Sequence, residues 1–216
     1  EMERGRQGGG GGRGGMGMMG MMGGGLGQGE FFSIVKFHIA EKVSDSPKLP
    51  SKLVPMRRLT EKDMSNPDRI VPIAIGMRHM TFQLNGRTFE MQDTMDIEKI
   101  PVNSIQKIRI FHDNQGMGGM GGMRGGMGMM MSMPHPIHLH GQQFQILSRK
   151  QNNANDNYDT VKDGFISSGW KDTVLVMPGE EIEIIKPFED YTGLFLYHCH
   201  NLEHEDMGMM RNFYVS

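Results

Sequence analysis

The chain has 216 residues and a formal net charge of −2 at pH 7. This length suits one well-packed domain with extra segments, or two small domains, and the near-neutral charge gives no electrostatic reason to expect nucleic acid as a partner. A single cysteine excludes an intrachain disulfide and the usual thiol-based zinc frameworks, so this thiol must be buried, reactive or bound to a metal.

Two segments are unusually rich in glycine and methionine. The chain contains 31 Gly and 24 Met, and most of the excess lies in residues 5–29 and 116–133, which have neither a helical nor a strand period. Flexible linkers usually use Ser, Pro or charged residues, whereas thioether sulfur is a soft ligand suited to Cu(I). We predict mobile, methionine-rich loops that handle copper, with an inert linker as the alternative.

No stretch of about eighteen apolar residues occurs, so no membrane span is predicted. The first residues, EMERGRQGGGGG, also lack the apolar stretch of a secretion signal. Any export signal is expected to have been removed or to lie outside this piece.

The segments between the two loops have the alternation and composition of β-strands. FFSIVKFHIA (31–40) predicts one strand, and MTFQLNGRTFEM (80–91) predicts two short strands around Asn85-Gly86, a dipeptide suited to a tight hairpin turn. Further short strands, rich in Ile, Val, Phe and Thr, are predicted at 104–111, 142–150, 172–178, 180–188, 193–199 and 211–216. No long amphipathic helix is evident.

This series of short strands predicts an all-β fold, a Greek-key sandwich or barrel that spans residues 73–216 and carries the methionine-rich insertion 116–133. Residues 41–72 contain five prolines and mixed charge, which is typical of a connector. We therefore assign 1–45 to a Gly/Met-rich loop and the last strand of a preceding domain, and 46–72 to a Pro-rich interdomain linker.

Six of the nine histidines occur in two clusters, HPIHLH and HCHNLEH. The three isolated ones, His38, His79 and His112, are interpreted as surface or core residues without a metal. Because residues i and i+2 of a strand face the same side, each cluster offers a pair of imidazoles to one region, and the cysteine between the second pair faces the other way. The pairs are His138 with His140 and His198 with His200.

One thiolate, two imidazoles and a weakly bound thioether form a blue-copper site, which passes single electrons. Cys199, His204 and Met209 follow one another at intervals of five residues, and His135 is the upstream imidazole. His135 and His204 are expected to lie beyond their strands and to curl towards the cysteine. A zinc site would prefer more thiolates or a closed set of four ligands, and packing six unpartnered imidazoles into a core would be costly.

The motifs HPIHLHG and HCHNLEHEDMGMM, with GWKDTVLVMPGEEIEI between them, resemble the C-terminal cupredoxin domain of the three-domain bacterial multicopper oxidases, a family that includes spore-coat laccases and periplasmic cuprous oxidases. The resemblance covers roughly residues 80–216, and FHIAEK with the Pro-rich connector resembles the end of the middle cupredoxin domain. It implies a cupredoxin-like fold, a periplasmic or extracellular location, a role in copper homeostasis, and oxidation of Cu(I) or small phenols with dioxygen as the acceptor.

The resemblance also implies four copper ions in the complete enzyme. Type 1 copper would be bound by His135, Cys199 and His204 with Met209 as axial ligand; Met207 and Met210 stand at offsets that do not match the family. His138 would bind type 2 copper, and the type 3 pair would be bound by His140, His198 and His200. Glu205 occupies the position of an acidic proton-relay residue, with a merely solvated acid as the alternative, and Trp170 and Asp172 are taken as mainly structural.

One departure from the family is serious. The trinuclear cluster needs four further histidines, from two His-X-His pairs that this chain lacks. We therefore expect the chain to be the C-terminal part of a longer oxidase whose N-terminal part supplies those ligands. The alternatives are a stand-alone type 1 electron-transfer or copper-binding cupredoxin, and a copper-sequestering protein built on the Met-rich loops. Because 116–133 runs directly into His135, we expect cuprous oxidase activity with weaker phenol oxidation.

Overall fold

A computed structural model of the chain describes residues 33–42, 44, 47–51, 53–78, 81–112, 133–152 and 156–216. The chain divides into two compact units, Glu1–Pro47 and Lys48–Ser216. The Gly/Met-rich segment 5–29 and all of 116–133 except Met133 lie outside the described residues, so the copper-handling prediction for them stays a prediction.

The predicted strand at 31–40 does not appear in its described part. Residues 33–40 are exposed and have no strand structure. An extended segment becomes a strand only when the backbone of a neighbour pairs with it, and alternation in a sequence does not supply that neighbour. The assignments of 1–45 and 46–72 remain predictions.

The described residues of the second unit contain ten strands: β1 (Val71–Arg78), β2 (Thr81–Leu84), β3 (Lys99–Ile100), β4 (Ser104–His112), β5 (His135–Leu139), β6 (Gln145–Gln151), β7 (Thr173–Val176), β8 (Glu180–Phe188), β9 (Gly193–Cys199) and β10 (Met210–Val215). Two short helices, α1 (Asp156–Val161) and α2 (Leu202–Asp206), and single 3₁₀ turns at Glu61–Asp63, Asp96–Glu98 and Lys162–Gly164 connect them. Within the described ranges, no helix has the length and apolar character needed to span a membrane.

The strands form two five-stranded sheets, in the orders β2-β1-β4-β8-β6 and β3-β10-β9-β5-β7. Only the β1–β4 and β3–β10 pairs described here are parallel, and the other pairs are antiparallel. The prediction of an all-β, cupredoxin-like fold is confirmed, and the two separate sheets make it a sandwich rather than a closed barrel.

Alternating apolar side chains of both sheets form the core between them. Strands β1, β4 and β8 contribute isoleucines, and β5, β7, β9 and β10 contribute the facing residues. Fully burying one such side chain stabilises the fold by about 1.5–3 kcal/mol. The fully buried examples include Ile73, Ile75, Ile108, Ile110, Ile137, Ile182, Ile184 and Val176.

The strands predicted at 104–111, 180–188 and 193–199 match β4, β8 and β9 almost residue for residue. The predicted hairpin is only half right: Asn85 and Gly86 have positive φ angles as such a turn requires, but the second strand is reduced to one isolated bridge between Leu84 and Arg87. The next backbone groups pair elsewhere, since Phe89 N–H donates to the carbonyl of Gly208. Strand β1 had not been predicted.

A buried ion pair fixes the strand that carries the cysteine. Both carboxylate oxygens of Glu98 accept hydrogen bonds from the guanidinium group of Arg211, at 3.0 and 2.6 Å, and the Tyr197 hydroxyl donates to the same carboxylate at 2.6 Å. Such a pair is costly to break because one partner would be left as an uncompensated buried charge. Tyr197 is therefore anchored two residues before Cys199, which restrains the end of β9.

Candidate metal centre

The buried sulfur of Cys199 lies between two imidazoles. Cys199 ends β9, and its Sγ is 3.7 Å from His135 Nδ1 and 3.5 Å from His204 Nδ1. Ile137 of β5 is paired with Cys199, and His135 lies on the same face of β5 as Ile137. The expectation that His135 lies beyond its strand is therefore wrong: it begins β5 and reaches the cysteine by strand alternation.

The turn after β9 brings His204 and Met209 to the same place. The backbone N–H of Cys199 donates to the carbonyl of Met209 at 3.1 Å, and the N–H of Met209 donates to the carbonyl of His204 at 2.9 Å. His204 lies in α2, so its expected position beyond the strand is correct. His135, Cys199 and Met209 have no exposed surface, and His204 is 3% exposed.

Burial sets the protonation states of this group. It raises the pKa of the Cys199 thiol to about 11 and, with the neighbouring histidines as a smaller cause, lowers the pKa of His135 to about 3. The pKa of His204 is also lowered by burial. Both imidazoles are therefore neutral at pH 7, the form that binds metals, and a metal must displace the thiol proton. A thiol that lies between two imidazoles is a donor set that fits copper, and the predicted axial ligand Met209 pairs with Cys199 through its backbone.

Two more rings pack on these imidazoles. Phe82 of β2 stacks on His204 with ring centroids 3.7 Å apart, and His112 of β4 meets His135 edge-on with centroids 5.3 Å apart. Burial lowers the pKa of His112 to about 4, so it too is neutral. Sequence reasoning missed both contacts because these residues stand far from the motifs along the chain, and no local pattern indicates them.

A second group of histidines lies on the opposite face of the same two strands. His138 of β5 is paired directly with His198 of β9, and one nitrogen from each of His138, His140 and His198 lies within 4.8 Å of the others. The Nε2 atoms of His140 and His198 are 3.2 Å apart. Two of these rings are less buried than the first group, since His138 is half-buried and His140 is exposed, whereas His198 is buried.

Hydrogen bonds to backbone carbonyls select the free nitrogen of two of these rings. His138 Nδ1 lies 3.0 Å from the Asp172 carbonyl and 2.9 Å from the Thr173 hydroxyl. His198 Nδ1 lies 3.1 Å from the Cys199 carbonyl. If Nδ1 of each ring carries the proton, Nε2 is free to bind a metal, and metal-bound histidines usually have their other ring nitrogen hydrogen-bonded in this way. Asp172, interpreted as structural, thus orients His138 through its backbone.

His200 and Glu205 complete this region. The His200 ring centroid is 5.4 Å from that of His198 and 5.9 Å from that of His138, although His200 is not in the group whose nitrogens lie within 4.8 Å. Glu205 Oε2 lies 3.5 Å from His198 Nδ1. The predicted proton-relay residue is therefore next to this group and in contact with one of its members.

The two-sheet fold, with a buried thiol between imidazoles, defines the second unit as a cupredoxin-like domain. The sequence profile of the multicopper oxidase family matches residues 61–216. The chain therefore belongs to the multicopper oxidase family, whose members use copper.

Individual relatives agree with this membership. The laccase of Haloferax volcanii is 46% identical over 81 residues, which are 38% of this chain and 13% of that protein. The laccase of Bacillus subtilis is 40% identical over 86 residues, 36% of this chain and 17% of that protein. The chain thus spans only a small part of the length of these relatives.

Solved structures show the same relationship. A multicopper oxidase from Pediococcus acidilactici superimposes with a TM-score of 0.56 and 29% identity, covering 80% of this chain and 30% of the other. The McoA multicopper oxidase from Aquifex aeolicus superimposes with a TM-score of 0.50 and 28% identity, covering 77% of this chain and 32% of the other.

Proposed function

We propose that this chain is the C-terminal part of a multicopper oxidase that takes single electrons from a reducing substrate at a type 1 copper and reduces dioxygen to water at a trinuclear cluster. The observation that supports this most strongly is that two groups of metal-binding side chains lie on opposite faces of one pair of strands. The type 1 ligands are His135, Cys199, His204 and Met209, and the chain's contribution to the cluster is His138, His140, His198 and His200.

Copper bound at these positions would supply one-electron chemistry at the first group and oxygen chemistry at the second. The chain itself provides the connection between them. Cys199 is joined by one peptide unit to His198 on one side and to His200 on the other. The Cys199 carbonyl also accepts a hydrogen bond from His198 Nδ1. Electrons therefore have both a covalent and a hydrogen-bonded route from the thiolate to the imidazoles.

The partner of this chain is an N-terminal part of the same oxidase that carries four more histidines. Two half-exposed or exposed rings, His138 and His140, are poorly covered by the described residues. A metal cluster bound only by histidines on one open face would remain accessible to solvent on its other side. A second polypeptide segment with two His-X-His pairs would close it.

Cu(I) is the preferred substrate, and phenols are oxidised more slowly. The two type 1 imidazoles are almost completely buried and so offer a bulky phenol very little surface. Met133, the last residue of the methionine-rich insertion, packs against the core two residues before His135. A soft thioether-rich segment that ends there is suited to deliver Cu(I). The family's bacterial members support a periplasmic or extracellular location.

Copper analysis and electron paramagnetic resonance test the proposal. In the complete oxidase we expect four copper ions, with type 1 and type 2 signals, and oxygen consumption with Cu(I) or a phenol as reductant. In this chain alone we expect one type 1 copper and no oxygen consumption. If the full-length protein showed only the type 1 signal, its function would instead be electron transfer by a cupredoxin.

Glu205→Gln is expected to slow oxygen reduction by about 10²-fold or more, because general acid catalysis typically contributes 10²–10⁴-fold. Glutamine keeps the size of the side chain next to His198 but cannot carry a proton. The measurement is the rate at which dioxygen reoxidises the fully reduced oxidase, together with its solvent deuterium isotope effect.

Glu203→Gln is the matched control, since Glu203 is an exposed acid on the same short helix. It should leave the reoxidation rate unchanged. Equal rates for the two variants would show that Glu205 is merely a solvated acid.

A further inference from the structure

The Phe82 ring contacts the type 1 group from a strand that carries none of its ligands. Phe82 stacks on the His204 imidazole with an interplanar angle of 28° and ring centroids 3.7 Å apart. It also meets His135 edge-on, with centroids 6.1 Å apart. The side chain is 2% exposed, so the ring is part of the wall that separates both imidazoles from solvent.

Strand pairing and side-chain hydrogen bonds position Phe82. It lies in β2, where Phe82 and Leu84 alternate inward, and it is paired with Met77 of β1. The Asn85 side chain fastens the end of the hairpin, because its Oδ1 accepts from the backbone of Ala74 and its Nδ2 donates to the backbone of Pro72. The ring is therefore positioned by a strand ladder that does not depend on the ligands.

His204, in contrast, is carried by a weak element. The helix α2 has five residues, Leu202–Asp206, and the side chain of its N-cap residue makes no capping hydrogen bond. Helices this short have little stability of their own and depend on packing. An imidazole on such a helix can turn away from the sulfur unless something restrains its plane. The stacked ring of Phe82 supplies that restraint.

We infer that Phe82 is a positioning residue of the type 1 site: it holds the His204 ring in the plane that directs Nδ1 at the Cys199 sulfur, and it excludes water from that side. The inference rests on the proposed function, since His204 must be a copper ligand. Cu(II) prefers more ligands and more tetragonal geometries than Cu(I) does. Loosening His204 and admitting water therefore stabilises Cu(II) and lowers the reduction potential.

Nuclear magnetic resonance of the copper-free protein tests the geometry first. The carbon-bound ring protons of His204 should be shifted upfield by the Phe82 ring current and should show cross-relaxation with Phe82 ring protons. In Phe82→Leu, which remains apolar but has no ring, the His204 protons should move downfield. Unshifted His204 protons in the wild-type protein would overturn the inference, whether or not the variant folds.

The copper-loaded protein tests the consequence. Phe82→Leu should lower the type 1 reduction potential and alter the intensity ratio of the visible thiolate-to-copper bands, while Phe82→Tyr should preserve both. Phe188→Leu is the matched control, because it removes a buried ring whose described contacts are with Phe213 and the Lys186 ammonium group rather than with a histidine. Equal potentials in Phe82→Leu and Phe188→Leu would contradict the inference. Absence of the visible band in the copper-loaded wild-type protein would contradict the proposed function instead. The NMR test of the contact between Phe82 and His204 would not be affected, because it uses the copper-free protein.

Discussion

Replacing Cys199 with serine is expected to remove the intense visible absorption of the copper-loaded protein and to reduce oxidation of the substrate to the background rate. The absorption arises from charge transfer between thiolate sulfur and Cu(II), and a hydroxyl is neither a soft donor nor readily deprotonated. His135 and His204 would then have no anionic partner within the 4.8 Å group that the structure describes. Absorption spectroscopy and steady-state oxygen consumption measure the two effects.

Ile137→Val is the matched control for this substitution. Ile137 is fully buried and is paired with Cys199 in the neighbouring strand, so the variant disturbs packing at the thiol without changing a donor. Its cost in stability should be about 0.5–1.5 kcal/mol, and its visible band should persist. A band of normal intensity in Cys199→Ser would show that the sulfur is not bound to copper.

Much of the fold could be predicted because each strand carries its own signal. Alternation and β-branched residues located β4, β8 and β9, and the positive φ angles of Asn85 and Gly86 follow from residue types that tolerate them. Two predicted strands are absent from the described residues for a common reason. The second hairpin strand and the segment 33–40 alternate in sequence, but a strand needs a partner, and the backbone after Arg87 pairs with the turn at Gly208 instead.

Strand alternation predicts that the histidine pairs and Cys199 face opposite sides, whereas the expectation that His135 lies beyond its strand is wrong. Alternation along β5 puts His135 and His138 on opposite faces, and alternation along β9 does the same for Cys199 and His198; His140 follows directly after β5. The register that places Ile137 opposite Cys199 then brings the two odd-numbered residues together on one face and the even-numbered ones on the other. Alternation in the sequence predicts which face of its own strand each residue occupies. The pairing of β5 with β9 is seen only in the structure.

The contacts around the ligands could not be predicted in this way. Phe82 and His112 come from strands of the other sheet, and their approach to His204 and His135 depends on how the two sheets pack. Packing between sheets leaves no period in a single segment, because it is decided by side chains that are distant in sequence. The rings that pack on His204 and His135 are therefore residues that no local sequence motif indicates.

Replacing His138 with glutamine is expected to abolish oxygen reduction while the visible thiolate band remains. His138 faces away from Cys199, its ring is 4.8–5.9 Å from those of His140, His198 and His200, and its Nε2 is the free nitrogen. Glutamine can still donate a hydrogen bond towards Asp172 but offers no imidazole. The complete oxidase should therefore still take electrons from its reductant at the type 1 copper but should not pass them on to dioxygen.

The measurement pairs anaerobic reductive titration with oxygen uptake. His138→Gln should lose its visible band when reductant is added without air, as the wild-type protein does, and should recover it only very slowly in air. His38→Gln, which changes an isolated and exposed histidine in the same way, should cycle normally. Because the two groups share strands but not faces, loss of the visible band in His138→Gln would mean that they are not separate centres. Normal oxygen uptake would mean that His138 is not a ligand.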